Sequence, residues 1–147
     1  MWVFPITVLI VGLDVATKQA ALCWLAEGIS VPVIRNIFHL TLVQNRGIAF
    51  GVLAQYSDWL LFLIALSVVV LVYYAFRLRA SALAKQIAYA FILGGAVGNL
   101  IDRFRFGHVI DFLDFRIWPV FNLADSFITM GVCFFIFVTL RRKSRAS

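Results

Sequence analysis

Four long apolar runs divide this chain, and each has the length of a membrane-spanning helix, which is ~20 residues. The runs predict four transmembrane helices, at about 3–24, 59–76, 84–101 and 121–140. Two segments that are more polar than these runs lie between them, at about 25–58 and 102–119. The pattern predicts one integral membrane domain over residues 1–147, all-α in its spans.

The longer polar segment contains a second type of periodicity. Apolar and polar side chains alternate in FHLTL at 38–42, and this period of two predicts a short strand on the membrane surface. Gly47 and Gly51 bracket three further residues and predict a turn. We expect the shorter polar segment to form a loop or short helix.

Small residues in the third run predict close helix packing. Gly94 and Gly98 form a G-x-x-x-G pattern, which lets helix backbones approach each other closely in lipid. We expect this packing to bring the ends of neighbouring helices together.

The composition supports a membrane protein. The 147 residues are 63% hydrophobic and 14% charged, whereas soluble domains carry about 25% charged residues. The net charge of +6 does not indicate nucleic-acid binding, because the basic residues are not gathered on a soluble face. Seven of the 13 lie in the segment 77–85 and in the tail after 140, and the positive-inside rule makes both cytoplasmic, as is then the N-terminus.

Two carboxylates stand out on the opposite, outer side. Asp111 lies in the apolar sequence VIDF, and Asp125 begins the fourth run. A carboxylate at the edge of hydrocarbon is costly. A neighbouring pair can share one proton and activate a water molecule, and burial would raise the pKa of Asp111 and favour its protonated form. We therefore expect this pair to carry chemistry.

An Asn-x-x-Asp pattern occurs twice, as Asn99–Asp102 and Asn122–Asp125. Residues three apart share a helix face, so each Asn can orient the following Asp. Asn122 can equally be a helix N-cap, with Asp125 stabilised by the helix dipole. Asp102 can also form a simple ion pair with Arg103.

Asp14 and Lys18 stand four residues apart within the first run, where an ion pair is expected. Lys18 could instead serve as a general base for Ser126. That alternative is weaker, because Asp14 would hold Lys18 protonated.

We expect neither a metal nor an organic cofactor. Neither His39 nor His108 belongs to a Cys/His cluster in the sequence, so a metal site is not indicated. The chain also has no glycine-rich phosphate loop.

Five motifs in this order resemble the bacterial lipoprotein signal peptidases (signal peptidase II), a family of intramembrane aspartyl proteases. The resemblance covers nearly the whole chain. The motifs are DVATK at 14–18, QNRGIAFG at 44–51, GGAVGNLIDR at 94–103, HVIDF at 108–112 and FNLADS at 121–126.

The resemblance implies a function and a site. The family's catalytic pair falls on Asp111 and Asp125, and the strand-like segment corresponds to a small periplasmic β-cradle. The loop between the two acids is shorter than in several relatives, which bears on the substrate entrance. The positions matching the family's supporting residues are Asp14, Lys18, Asn45, Gly47, Asn99, Asp102, Arg103, Asn122 and Ala124.

The implied substrates are prolipoproteins, cut before a cysteine that carries a diacylglyceryl group. The implied location is the bacterial cytoplasmic (inner) membrane, with the active site near the outer face. We expect a monomer whose partners are these substrates and membrane lipids, with no nucleic acid.

Two other functions fit a small membrane protein. A transporter or channel would spread its acids through the membrane depth, whereas Asp102, Asp111 and Asp125 cluster at one side and only Asp14 is expected deeper. A purely structural subunit gives no reason for Asp111.

Overall fold

The computed structural model describes residues 1–47, 57–78 and 81–144. Within these ranges the chain is mostly helical, with a small antiparallel sheet. The elements are α1 (Val3–Trp24), β1 (Ser30–Ile34), β2 (Phe38–Asn45), α2 (Ser57–Arg77), α3 (Leu83–Phe106), β3 (Val109–Asp114) and α4 (Leu123–Ser144).

The helices have the character expected of an integral membrane protein. In the described part of the chain, three segments are long and apolar enough to cross a membrane: Val3–Trp24, Leu83–Phe106 and Leu123–Arg141. Leu61–Arg77, within α2, is a shorter apolar helical segment. A helix therefore lies at each of the four predicted apolar runs.

The third helix ends later than expected, which corrects the boundary placed at residue 101. α3 continues to Phe106, so Asp102 and Arg103 belong to the helix and not to the following loop. Arg103 and Arg105 lie in its last turn, where positive charge complements the helix dipole. Gly107, with φ 73°, ends the helix in the left-handed conformation that favours glycine.

α3 lies at the centre of the helices and packs against α1, α2 and α4. Its glycines make this possible, as the G-x-x-x-G pattern predicted. A Cβ built on Gly94 would lie 2.8 Å from the Ile10 side chain, and one on Gly95 would collide with the Ala124 carbonyl oxygen. α1 and α4 therefore approach the backbone of α3 directly.

The three strands form a sheet in the order β1-β2-β3. The strand predicted at 38–42 is confirmed and extends to Asn45. The prediction of a loop or short helix at 102–119 was wrong. Residues 109–114 form β3, which pairs antiparallel with β2. Val109, Ile110, Phe112 and Leu113 suit a strand, and the run is too short for a stable helix. The turn predicted at 47–51 lies largely outside the described residues.

Candidate active site

Asp111 is held by two asparagines from different elements. Its side chain is 2% exposed, and on β3 its Cα pairs with that of Val43 on β2. Its Oδ2 accepts a hydrogen bond from Asn45 Nδ2 at 2.9 Å, and its Oδ1 accepts one from Asn122 Nδ2 at 2.7 Å. Burial raises the pKa of Asp111 to about 7, as the apolar sequence context predicted, although both hydrogen bonds oppose this shift.

Asp125 lies in the first turn of α4 and takes part in a reciprocal cap. Its backbone N–H donates to Asn122 Oδ1 at 2.9 Å, and its own Oδ2 lies 3.4 Å from the Asn122 backbone nitrogen. Its Oδ1 accepts a hydrogen bond from Asn99 Nδ2 on α3 at 2.7 Å. The N-cap interpretation of Asn122 is therefore confirmed.

Asn122 also joins the two acids. Backbone hydrogen bonds between Leu113 and Phe121, at 2.8 and 3.1 Å, return the chain alongside β3 just before α4 begins. Asn122 is thereby placed so that its Nδ2 donates to Asp111 while its Oδ1 accepts from the Asp125 N–H. The capping and orienting interpretations of Asn122 thus hold together.

Lys18 forms the centre of a buried ionic cluster. Its Nζ lies 2.8 Å from Asp14 Oδ2, 2.8 Å from Asp102 Oδ2 and 3.0 Å from Asn99 Oδ1. These contacts confirm the predicted Asp14–Lys18 ion pair and surround the ammonium with three oxygen atoms. The alternative ion pair between Asp102 and Arg103 was wrong, because Asp102 pairs with Lys18 instead.

The cluster disfavours the serine hydrolase alternative. A general base must contact its nucleophile, whereas Lys18 Nζ contacts the carboxylates of Asp14 and Asp102. Ser126 Oγ donates to the Asn122 carbonyl oxygen at 3.1 Å. The two side chains therefore do not form the hydrogen-bonded nucleophile and base that this mechanism requires.

The two acids of the ionic cluster also fix neighbouring elements. Asp14 Oδ1 accepts from the Ala124 N–H at 2.9 Å, which ties α1 to the start of α4. Asp102 Oδ2 accepts from the Ile110 N–H at 3.1 Å, which ties α3 to β3. Through Lys18, Asp14 therefore lies close to Asp102.

Arg103 connects α3 to the end of β2. Its Nη2 donates to the Gly47 carbonyl oxygen at 3.0 Å, and its Nη1 lies 3.4 Å from the Asn99 carbonyl oxygen. The Gly47 N–H in turn donates to Asn45 Oδ1 at 3.0 Å. Arg103 and Gly47 thus position the amide that binds Asp111.

The orientation of each asparagine follows from its partners. Every amide oxygen faces a group that can only donate, so the NH₂ group must face a carboxylate. Asn99 bonds to Asp125 on α4 and not to Asp102 one turn away, which corrects the expected pairing. The donors to the amide oxygens are the Gly47 N–H for Asn45, the Lys18 ammonium for Asn99 and the Asp125 N–H for Asn122.

Asp114 is a third buried acid of this region and belongs to a separate network. It is 5% exposed and lies three residues from Asp111, hence on the opposite face of β3. Burial alone would raise its pKa. Hydrogen bonds from Thr41 at 2.8 Å and from Arg116 outweigh this effect and hold the pKa of Asp114 below its ordinary value.

An apolar groove lies beside Asp125, and sequence reasoning missed it. Its volume is about 520 Å³. The groove joins α4 to the segment after β3, so only the fold brings its walls together. Its lining residues are Phe115, Ile117, Trp118, Phe121, Asp125, Ser126, Thr129 and Met130.

The comparison with known proteins identifies the family. A family model described as signal peptidase (SPase) II matches residues 6–141. The chain belongs to the signal peptidase II family. Membership of this family makes it a protease, and its apolar helices make it an integral membrane protein.

Relatives and solved structures extend the match over most of the chain. The lipoprotein signal peptidase of Halothermothrix orenii is 41% identical over 134 residues, covering 91% of this chain and 92% of that protein. The lipoprotein signal peptidase of Clostridioides difficile is 41% identical over 143 residues, covering 96% of each. A solved bacterial membrane enzyme, 32% identical, superimposes with a TM-score of 0.87 over 99% of this chain and 91% of its own.

Proposed function

We propose that this protein is a membrane aspartyl endopeptidase that removes signal peptides from diacylglyceryl-modified prolipoproteins. The cut falls before the lipid-modified cysteine, and Asp111 and Asp125 form the catalytic pair. One observation carries the proposal: the amide of Asn122 contacts both residues, at 2.7 Å to the Asp111 carboxylate and 2.9 Å to the Asp125 N–H. The relatives named lipoprotein signal peptidase support the choice of substrate.

The two acids divide the chemistry between them. The raised pKa of Asp111 favours its protonated form, which polarises the scissile carbonyl. Ionised Asp125 takes a proton from the attacking water. After attack, a proton passes from the pair to the leaving amine, and the pair returns to its starting state. The residues named above as supporting hold this geometry and do not react.

We place this site at the outer face of the bacterial cytoplasmic membrane. α2 then serves as a fourth span beside the three longer helices, with both termini cytoplasmic. The basic residues of segment 77–85 and of the tail support this orientation through the positive-inside rule. We also propose that the protein acts as a monomer.

Paired substitutions test the assignment. We expect Asp111→Asn and Asp125→Asn each to lower cleavage of a purified diacylglyceryl-modified prolipoprotein by at least 10³-fold, because neither variant can share a proton as the pair does. The measurement is the gel shift on loss of the signal peptide.

Asp114→Asn is the matched control, since it makes the same change on β3 outside the site. We expect its rate to stay within about threefold of the unmodified protein. Full turnover by Asp111→Asn or by Asp125→Asn would overturn the assignment of the catalytic pair. Loss of activity in Ser126→Ala, with both aspartate variants active, would favour the serine alternative.

A further inference from the structure

Positive charge is concentrated at one end of the helices, away from the proposed catalytic pair. Seven of the 13 Lys and Arg residues lie in the segment 77–85 and after residue 140, and the sequence has no Asp or Glu in 59–101 or in 126–147. The other six basic residues share the rest of the chain with all seven acids. The charged group at this end is termed the cationic end, and the members that the structure describes in full are Arg77, Lys85 and Arg141.

The fold brings the basic segments of three helices together. The Tyr89 hydroxyl donates to the Leu71 carbonyl oxygen at 2.8 Å, which joins α3 to α2. Arg77 follows Leu71 on α2, and Lys85 precedes Tyr89 on α3, so both cations lie on the same side of this contact. Lys85 Nζ lies 5.8 Å from the centre of the Phe135 ring on α4, and α4 continues from there to its basic end. The cationic end is therefore one surface of the folded protein.

The cations at this surface are held by aromatic rings and not by acids. Arg77 Nη2 donates to the Tyr73 hydroxyl oxygen at 2.8 Å, and the guanidinium carbon lies 5.4 Å from the centre of the same ring. Lys85 lies over Phe135. In the part of the chain that the structure describes, none of the ion pairs involves Arg77 or Lys85. Contact with a ring leaves the positive charge available to an anion.

Helix stability accounts for one of these two cations but not for the other. Arg77 ends α2, where the helix dipole favours a positive charge. Lys85 lies in the first turn of α3, where the dipole disfavours a positive charge, and no acidic residue accompanies it there. The position of Lys85 is therefore better explained by an anion from outside the chain.

The surroundings of the cations indicate what kind of anion this is. Phe76, Leu83 and Leu140 are large exposed apolar residues, and each is a near neighbour in sequence of one of the cations. On an integral membrane protein such side chains contact hydrocarbon, while cations at the helix ends reach the headgroup layer. A soluble anion would contact the cations alone, whereas a lipid would contact both surfaces.

We propose that the cationic end binds glycerophospholipids whose headgroup carries a net negative charge. The lipid phosphate contacts Arg77 and Lys85, and the acyl chains lie along the exposed apolar side chains beside them. Basic residues near a membrane surface are attracted to anionic lipids in this way. The inference does not depend on the proposed peptidase function, since it requires only the apolar helices that cross the membrane.

Lipid binding by the purified protein provides the first test. The protein in detergent would be titrated with phosphatidylglycerol or with phosphatidylcholine, and bound lipid would be counted by native mass spectrometry. We expect phosphatidylglycerol to bind at least tenfold more tightly. The double variant Arg77→Gln, Lys85→Gln should lose this preference, because each cation contributes about fivefold.

The matched control is the double variant Arg35→Gln, Arg105→Gln. It removes the same charge from two exposed arginines that lie among the acids of the chain. Arg105 is also held by a ring, with its guanidinium carbon 5.0 Å from the centre of Phe106. We expect this variant to keep the lipid preference. Equal affinity for both lipids, equal loss in both double variants, or displacement by an equal concentration of inorganic phosphate would overturn the proposal.

Tryptophan fluorescence provides an independent test of where the lipid binds. Trp2 marks the cationic end, because its backbone N–H donates at 2.9 Å to the side chain of Gln86, the residue after Lys85. A variant with the other three tryptophans replaced by phenylalanine would be placed in phosphatidylcholine vesicles in which about a tenth of the lipid is brominated. We expect brominated phosphatidylglycerol to quench Trp2 more than brominated phosphatidylcholine does, and high salt to reduce the difference by screening. Equal quenching by the two lipids would overturn the proposal.

Discussion

At the scale of single residues, Lys18 acts on the proposed catalytic pair through one amide. Because an ammonium group only donates hydrogen bonds, its contact with Asn99 Oδ1 forces the Asn99 NH₂ group toward Asp125. The buried charge thus sets the direction of a proton donor at the site without touching the reacting atoms. Lys18 is a positioning residue in this scheme.

Asn99→Asp tests this role. The variant keeps an oxygen for Lys18 but replaces the donor to Asp125 with an acceptor. We expect kcat to fall about 10²–10³-fold, the range for loss of one preorganised donor, while the protein still folds. Gln44→Glu, an amide-to-acid change at an exposed position of β2, is the control. A normal kcat in Asn99→Asp, measured with thermal unfolding in detergent, would contradict the role.

The pH dependence of cleavage follows from Asp111. Its pKa is raised to about 7 by burial, so the protonated form needed for catalysis is lost as the pH rises through that value. We expect kcat/KM to fall above about pH 7 by about tenfold per unit. A rate that stays constant to pH 9 would show that Asp111 is not the protonated partner.

The substitution Asn45→Leu should shift the pH at which kcat/KM falls, and the direction of the shift can be predicted. The hydrogen bond from Asn45 lowers the pKa of Asp111, so its removal raises that pKa further. The fall in kcat/KM should therefore shift to higher pH in the variant. A shift to lower pH would mean that burial is not the controlling effect.

At the scale of elements, the close contact between α1 and α3 makes room for the ionic cluster. A Cβ on Gly98 would lie 2.5 Å from Asp14 Oδ2, nearer than atoms can pack. Asp14 cannot move aside easily, since Lys18 and the Ala124 N–H both hold it. The small residues of α3 therefore serve the site as well as the packing.

Gly98→Ala should consequently destabilise the protein by about 1–3 kcal/mol, the usual cost of overpacking, and reduce cleavage. The matched control is Gly12→Ala, on α1, where a Cβ would meet nothing within 4 Å. The midpoint of thermal unfolding in detergent measures both variants. Equal midpoints would contradict the close approach of Asp14 to α3.

At the scale of the whole molecule, the site is a buried polar cluster shared by several elements. α1 supplies Lys18, α3 supplies Asn99, β3 supplies Asp111 and α4 supplies Asp125. Breaking a buried ion pair by removing one partner costs 3–5 kcal/mol in general. Each of these elements is therefore held in place by the same contacts that arrange the chemistry.

The sequence by itself determined the apolar helices, the strand at 38–42, the Asp14–Lys18 ion pair and the family. Each depends on contacts between near neighbours or on short motifs, whose spacing is fixed along the chain. The pairing of Asp111 with Asp125 was expected from their apolar contexts and from the resemblance, whereas the bridging position of Asn122 came from the structure.

The tertiary structure alone decided the partners across elements. The choice of Asp125 for Asn99, the pairing of Asp102 with Lys18 and the burial of Asp114 all depend on which element lies opposite. The strand at 109–114 exists because β2 lies beside it, and the α4 groove because the chain returns at Phe121. These features depend on residues far apart in the chain, so local periodicity carries no information about them.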